Sequence, residues 1–251
     1  MTATAAVEGR TREPELAGQT VVVIGGSAGI GLETARRARA EGADIIITGR
    51  DPERLSQAAR TIEAARAAAF DASDMAALEE FFHQLGGPID HVMVTAGGPY
   101  YATLAEMDFD EAHRHIDAHI WPMLGVARYA APLMRAGGTL IFMGGTGPRH
   151  PAVGLSIAAA DNAALTALTA NLALEIAPVR VNLIAAGFVD TPLSAQLLGD
   201  QLDERRSQLR HDLPIRRVVG PADVAALAVH LMTNTALTGA AYDIDGGQQL
   251  L

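Results

Sequence analysis

From Gln19 onward the sequence alternates short β-branched or apolar runs with longer amphipathic ones, and few folds accept that texture. Val21 to Ile24, Asp44 to Thr48, His91 to Thr95, Thr139 to Met143 and Val179 to Ile184 are runs of four to six residues, the pattern of strands buried on both faces of a parallel sheet. Between them, Ile30 to Glu41, Pro52 to Arg66, Ser73 to Leu85, Phe109 to Met134, Ser156 to Ile176 and Pro221 to Met232 predict helices. Asp51 stands where an N-cap belongs, with Pro52 at the first helical position. Strands alternating with helices imply right-handed βαβ crossovers and a doubly wound parallel sheet, an α/β fold. Ala240 to Ile244 adds a last strand, and residues 188–213, rich in Leu, Gln and charge but without a strand, read as a small helical lid. Residues 1–15 read as a flexible polar tail and 16–251 as a single domain, a length ordinary for one α/β core.

Composition removes several kinds of chemistry. There is no cysteine, which excludes disulfides, thiolate catalysis and cysteine-ligated zinc and fits a reducing, cytoplasmic setting. All 19 basic residues are arginine, so no lysine is available for a Schiff base or an acid–base step. The formal charge of −10 argues against nucleic acid or an anionic membrane surface as the main partner. Neither a signal peptide nor a charge-free apolar run of membrane-spanning length is expected.

The segment Val21-Val-Val-Ile-Gly25-Gly26-Ser27-Ala-Gly29-Ile30-Gly31 ends a strand and opens a helix. Glycines at that junction let a pyrophosphate approach free backbone N–H groups at the positive end of the helix dipole, the Rossmann-type arrangement. A plain tight turn is the competing reading. The spacing Gly25-x-x-x-Gly29-x-Gly31 differs from the ordinary G-x-G-x-x-G and resembles the classical short-chain dehydrogenase/reductase family. The resemblance runs from about Leu16 to Leu251. Thr95-Ala96-Gly97-Gly98 resembles the family's N-A-G-G turn and Asp71 its adenine-contacting acid. Val179-Arg-Val-Asn182, Gly187-Phe-Val-Asp-Thr191-Pro and Asp245-Gly246-Gly247 resemble its R-V-N, P-G-x-x-x-T and D-G-G stretches.

That resemblance implies an NADP(H) cofactor on Gly25, Ser27, Gly29, Ile30, Gly31, Arg50, Asp71, Ala96, Gly97, Asn162, Gly187, Val189 and Thr191. The second-strand end decides between the two nicotinamide cofactors. An acid there would accept from the ribose 2′-OH and repel a 2′-phosphate; this chain has Gly49 at that position and Arg50 beside it, which favours NADP(H) over a merely solvated surface arginine. Ser27 offers a further phosphate hydrogen bond. The resemblance also implies a homo-oligomer, a tetramer or dimer, with the Phe109 to Met134 and Ser156 to Ile176 helices in one two-fold interface.

The family's catalytic positions carry other residues. Its Asn, Ser, Tyr and Lys fall on His119, Gly145, Ala158 and Asn162, and Gly145 precedes Ala158 by 13 residues, the family's usual separation. A chain without lysine holds no Tyr-x-x-x-Lys in any register. Loss of a positioned general acid costs about 10² to 10⁴ in rate and loss of an oxyanion donor about 10² to 10³. His119 has two readings, a substitute acid with an ordinary pKa near ~6.5 or a hydrogen-bonded structural histidine. Tyr100 and Tyr101 read as pocket walls or acids, and Arg149 and His150 as solvated loop residues or an anion contact. His113, His115 and His119 do not share one helix face, so no metal site is expected. Two functions follow: an NADP(H)-dependent oxidoreductase of unusual mechanism acting on an activated C=C or quinone-like acceptor, with ordinary carbonyl and alcohol chemistry weak or absent, or a catalytically silent NADP(H)-binding regulator or scaffold. A non-redox lyase is weaker, because it would keep Ser and Tyr and alter the glycine loop. The small-molecule substrate has no signature.

Overall fold

The computed structural model describes residues 15–251. The expected tail therefore lies outside the described residues except for Glu15, whose backbone N–H donates to the Glu41 carboxylate.

Among the described residues, seven strands form one parallel sheet in the order β3-β2-β1-β4-β5-β6-β7. They are β1 (Thr20–Ile24), β2 (Asp44–Gly49), β3 (Arg66–Ala69), β4 (Ile89–Val94), β5 (Met134–Gly145), β6 (Arg180–Ala186) and β7 (Ala241–Ile244). Among the described residues, eight α-helices connect or follow them: α1 (Gly29–Ala40), α2 (Pro52–Thr61), α3 (Met75–Leu85), α4 (Phe109–Ala130), α5 (Ser156–Glu175), α6 (Pro192–Leu198), α7 (Leu202–Asp212) and α8 (Pro221–Thr233).

Strand periodicity sorts the core into two layers. Val21, Val23, Ile45, Ile47, Met93, Ile141 and Ile184 point to one face, where Ala35 and Ala38 of α1, Leu55 and Ala58 of α2 and Val224 and Ala228 of α8 cover them. Val22, Ile24, Val92, Val94, Leu140, Phe142 and Leu183 point to the other, under Leu78 and Phe82 of α3, Met123 and Val126 of α4 and Leu165 and Leu172 of α5. The chain reverses direction across the sheet between β1 and β4, so the open crevice of the fold lies beyond their carboxyl ends.

Two expectations need correction. The helix predicted over Pro52 to Arg66 stops at Thr61, and Arg66–Ala69 pairs with β2 as an edge strand, Ile46 opposite Arg66 and Gly49 opposite Ala69. Its sequence is Arg-Ala-Ala-Ala, whose helix propensity loses to the hydrogen bonds of an open sheet edge. The helix predicted to Met134 ends at Ala130, because Pro132 forces a short 3₁₀ turn and Met134 already pairs with Ile89 of β4. Among the described residues α5 alone has the length and apolarity of a membrane span, yet Ala158, Asp161, Leu165, Thr169 and Leu172 line its buried face against α4, β5 and β6.

Candidate active site

The crevice is built on the glycine turn after β1. Gly25 has φ +93°, and a Cβ there would stand 2.8 Å from both the Ala96 amide nitrogen and Thr95 Oγ1, so the backbone conformation and the space both demand glycine. At Gly31 a Cβ would run into the Gly25 carbonyl and come within 2.6 Å of Thr95 Oγ1. That contact seats the first turn of α1 directly on the strand end. Thr95 Oγ1 lies 3.1 Å from the carbonyl oxygens of Ile24 and Gly25, to which it donates, and the Gly26 N–H donates to Thr48 O at 2.8 Å. Ala28, the N-cap of α1, has no side chain to satisfy the first N–H groups, and the first turn has no acid. Those donors and the dipole are left for an anion.

The side of the crevice beside the end of β2, where the family resemblance puts the nucleotide, is polar. A Cβ on buried Gly49 would meet Ser27 Oγ at 2.9 Å, so the serine of the glycine turn stands over the end of β2, with exposed Arg50 next in the chain. Asp71 accepts from the Ser73 N–H at 2.9 Å and from its hydroxyl at 2.8 Å. The Ser73 amide bond chiefly holds the Asp71 carboxyl below the usual carboxylate range, with the Ser73 hydroxyl and the Arg50 charge adding to it. On the opposite wall Thr191 caps α6 by accepting from the Ser194 N–H at 3.1 Å, and it lies beside Gly29, whose Cβ would stand 3.6 Å from Thr191 Cβ. Val189 is buried, bridging to Val219, and Gly187 packs against Asp245 and Gln248 with no room for a side chain.

At the far end of the crevice the structure brings together Gly145, Ala158 and Asn162. Asn162 folds onto the end of β5: its Oδ1 accepts from the Gly145 N–H, and its Nδ2 donates to Ala158 O at 2.6 Å. Facing them, Gly97 has φ +114°, and a Cβ there would be 3.5 Å from His119 Nδ1. Both ring nitrogens of His119 are buried without a hydrogen-bond partner. Burial, reinforced by the positive charge of His115, pushes the His119 pKa down to about 4. The expectation of an ordinary pKa is thereby corrected: at neutral pH His119 is an uncharged imidazole, able to donate or accept a hydrogen bond but not to act as an imidazolium acid.

His115, one turn earlier on α4, stacks on His119 with ring centroids 5.9 Å apart, lies 5.7 Å from the Tyr100 ring and places Nε2 3.4 Å from Asp161 Oδ2 on α5. Asp161 is 4% exposed, and burial raises its pKa, opposed by His115. The sequence reading missed this carboxyl. The signal was available, since Asp161 is the one charged residue between Ser156 and Leu174. His113 points elsewhere, toward Asp117 at 3.2 Å, and no group of metal-binding side chains occurs among the described residues. Tyr100 donates to Asp108 O at 3.3 Å, Tyr101 is exposed, and Arg149 is drawn to Asp243 rather than into the crevice.

A doubly wound parallel sheet with an unblocked glycine-lined helix terminus at its switch point defines a nucleotide-binding α/β protein. A family model described as enoyl-(acyl carrier protein) reductase matches residues 25–249, and the chain belongs to the short-chain dehydrogenase/reductase family. It is 29% identical over 252 residues to the short-chain dehydrogenase/reductase ATR9 of Stachybotrys chlorohalonatus (strain IBT 40285), covering 93% of this chain and 98% of that one. It is 32% identical to 3β-hydroxysteroid dehydrogenase 1 of Eggerthella lenta, with 94% and 95% covered. A crystal structure of a small-chain dehydrogenase in complex with NADPH superposes with a TM-score of 0.80 at 27% identity, covering 93% of this chain and 99% of that one.

Proposed function

We propose that this chain is an NADP(H)-dependent oxidoreductase of non-classical mechanism, which reduces an activated acceptor and has little activity toward ordinary ketones, aldehydes and secondary alcohols. One observation carries the reading: the nucleotide end of the crevice keeps its glycine cradle, while at the reacting end Asn162 is folded onto Gly145 beside Ala158, with no hydroxyl or lysine among the three.

The residues fit the cofactor. The cradle at Gly25, Gly29, Ile30 and Gly31 offers backbone donors to the pyrophosphate, Ser27 and Arg50 flank the place of the 2′-phosphate, and Asp71 is held ionised for the adenine side. Ala96, Gly97, Gly187, Val189 and Thr191 shape the walls along the dinucleotide. When bound, NADPH supplies hydride. The chain's own work is then to hold the acceptor and stabilise the charge that develops on it. Neutral His119, with unpaired nitrogens beside Gly97, polarises an oxygen by hydrogen bonding without transferring its proton. Asn162 steadies the Gly145 backbone in place of the ribose contact a lysine would give. Residues 188–213, carrying α6 and α7, serve as the lid of a single domain spanning 16–251, and a cytoplasmic setting agrees with the lack of cysteine.

Titration with NADPH and NADH tests the assignment. NADPH binds more tightly, and Arg50→Ala weakens NADPH by about tenfold or more, the worth of a charge-assisted bond, without weakening NADH. Equal affinities, or an unaffected variant, overturn it. With either cofactor, turnover of simple ketones, aldehydes and secondary alcohols stays near background.

A further inference from the structure

Resting on that reductase reading, we propose that His115 and Asp161 are the proton-bearing pair of this site, delivering from the seam between α4 and α5 the proton that no group at Gly145, Ala158 or Asn162 can give. Four observations meet there. Asp161 lies one turn beyond Ala158 on the buried face of α5, beside the position that the family resemblance gives to a hydroxyl. A buried carboxyl whose Oδ2 has no hydrogen-bond partner is costly, and His115 Nε2, 3.4 Å away, is within reach but not aligned to bond it. Catalytic hydrogen bonds in ligand-free sites are often this long. The His115 side chain is 17% exposed, and its ring is held between His119 and Tyr100. Two other candidates are taken: the Tyr100 hydroxyl donates to Asp108 O, and Arg149 is paired with Asp243.

The groups facing His115 are Asp161 from α5, His119 from α4 and Tyr100 from the loop after β4. With a quinone-type acceptor, hydride arrives with its electron pair and an acceptor oxygen becomes anionic. That oxygen takes the proton from His115: the N–H bond breaks, an O–H bond forms, and Asp161 keeps its negative charge. Water then returns one proton to the pair. Neutral His119, stacked on His115, can bond the same oxygen without titrating.

Two measurements on the full chain test the pair. In the protein without cofactor, NMR of ¹⁵N-histidine and ¹³C-carboxyl labels should show the His115 ring and the Asp161 carboxyl responding over the same pH steps, as two groups sharing a proton do. Asp161→Asn should shift the His115 transition and leave His119 uncharged at neutral pH. Independent transitions in the unmodified protein overturn the proposal, whether or not the variant folds. The second measurement uses NADPH and 9,10-phenanthrenequinone. Asp161→Asn and His115→Gln should each lower kcat at least tenfold and change the pH profile, with the affinity for NADPH within twofold of the parent. Unchanged kcat and pH profile in both variants overturn the pair's role while the reductase reading stands. Failure of the parent to bind NADPH overturns the reductase reading and the use made of the proton, even if the shared titration is seen.

Discussion

At the scale of single residues, the glycines of the first turn and the buried histidines carry the sharpest physical demands. Gly31 has an ordinary negative φ, so strain is not the issue; the space is. A methyl there meets the Gly25 carbonyl and Thr95 Oγ1, both held by the strand ends. Gly31→Ala should therefore push α1 off β1, costing about 1 to 3 kcal/mol of stability, the usual range for overpacking a rigid site. It should also weaken NADPH far more than that loss alone accounts for, because the N–H donors move with the helix. Urea denaturation and cofactor titration on the same variant check both. A variant with parental stability and affinity would show that the close approach is not required.

At the scale of elements, β4 holds a histidine whose charge the fold excludes. His91 is 3% exposed, its Nε2 lies 2.6 Å from Gln19 Oε1, and its Nδ1 accepts from the Thr139 N–H at 3.3 Å. Burial is the main cause that pushes its pKa to about 4, and the neighbouring Asp90 only partly opposes it. Unfolding returns the ring to an ordinary pKa of about 6.5, so between those two values the unfolded chain binds the extra proton. Stability contributed by neutral His91 is whole above about pH 6.5 and falls as the pH drops toward 4. His119, lowered to about 4 as well, acts in the same direction. The expected loss between pH 7 and pH 4.5 is a few kcal/mol, at about 1.4 kcal/mol per unit for each group. His91→Gln should flatten that slope in urea denaturation series even if it lowers stability at pH 7. A parent protein equally stable at both pH values would contradict it.

The same elements show what could be read from the sequence. β1, β2, β4, β5 and β6 announce themselves by β-branched or apolar runs, because a strand covered on both faces must be apolar throughout, whereas β7, at the far edge of the sheet, shows only Tyr242 and Ile244 around Asp243. β3 does not announce itself, because an edge strand of three alanines carries no β signature and is defined only by its pairing with β2. The glycine turn was legible because its chemistry is local. Asp161 was not, since its meaning depends on His115 standing across a helix seam, 46 residues away in sequence and 3.4 Å away in space. The lowered pKa of His119 was hidden for the same reason: burial and a stacked neighbour are tertiary facts.

For the whole molecule, the question is what covers the outer side of α4 and α5. One face of α5 is core, but Ala160, Ala163, Ala164, Ala167, Ala170 and Leu174 on the other are exposed, Leu174 at 81%, and Trp121 of α4 is 55% exposed. A helix apolar on both sides is expected to be covered on both sides, and a row of alanines lets a second helix approach closely. A two-fold axis here would place α4 and α5 against their own copies in a self-complementary contact. The expected particle in sedimentation at micromolar concentration is a dimer or tetramer of the 26.2 kDa chain, and Ala167→Arg should yield the monomer. The site gives this a consequence beyond mass. His115, His119, Ala158, Asp161 and Asn162 all project from the two helices that the contact would brace, and the His115–Asp161 spacing depends on how those helices are held. Monomeric Ala167→Arg should thus bind NADPH normally, through a cradle on β1 and α1, and lose quinone reduction. A parent protein that sediments at 26.2 kDa while reducing the quinone would refute the oligomer and its bracing role together.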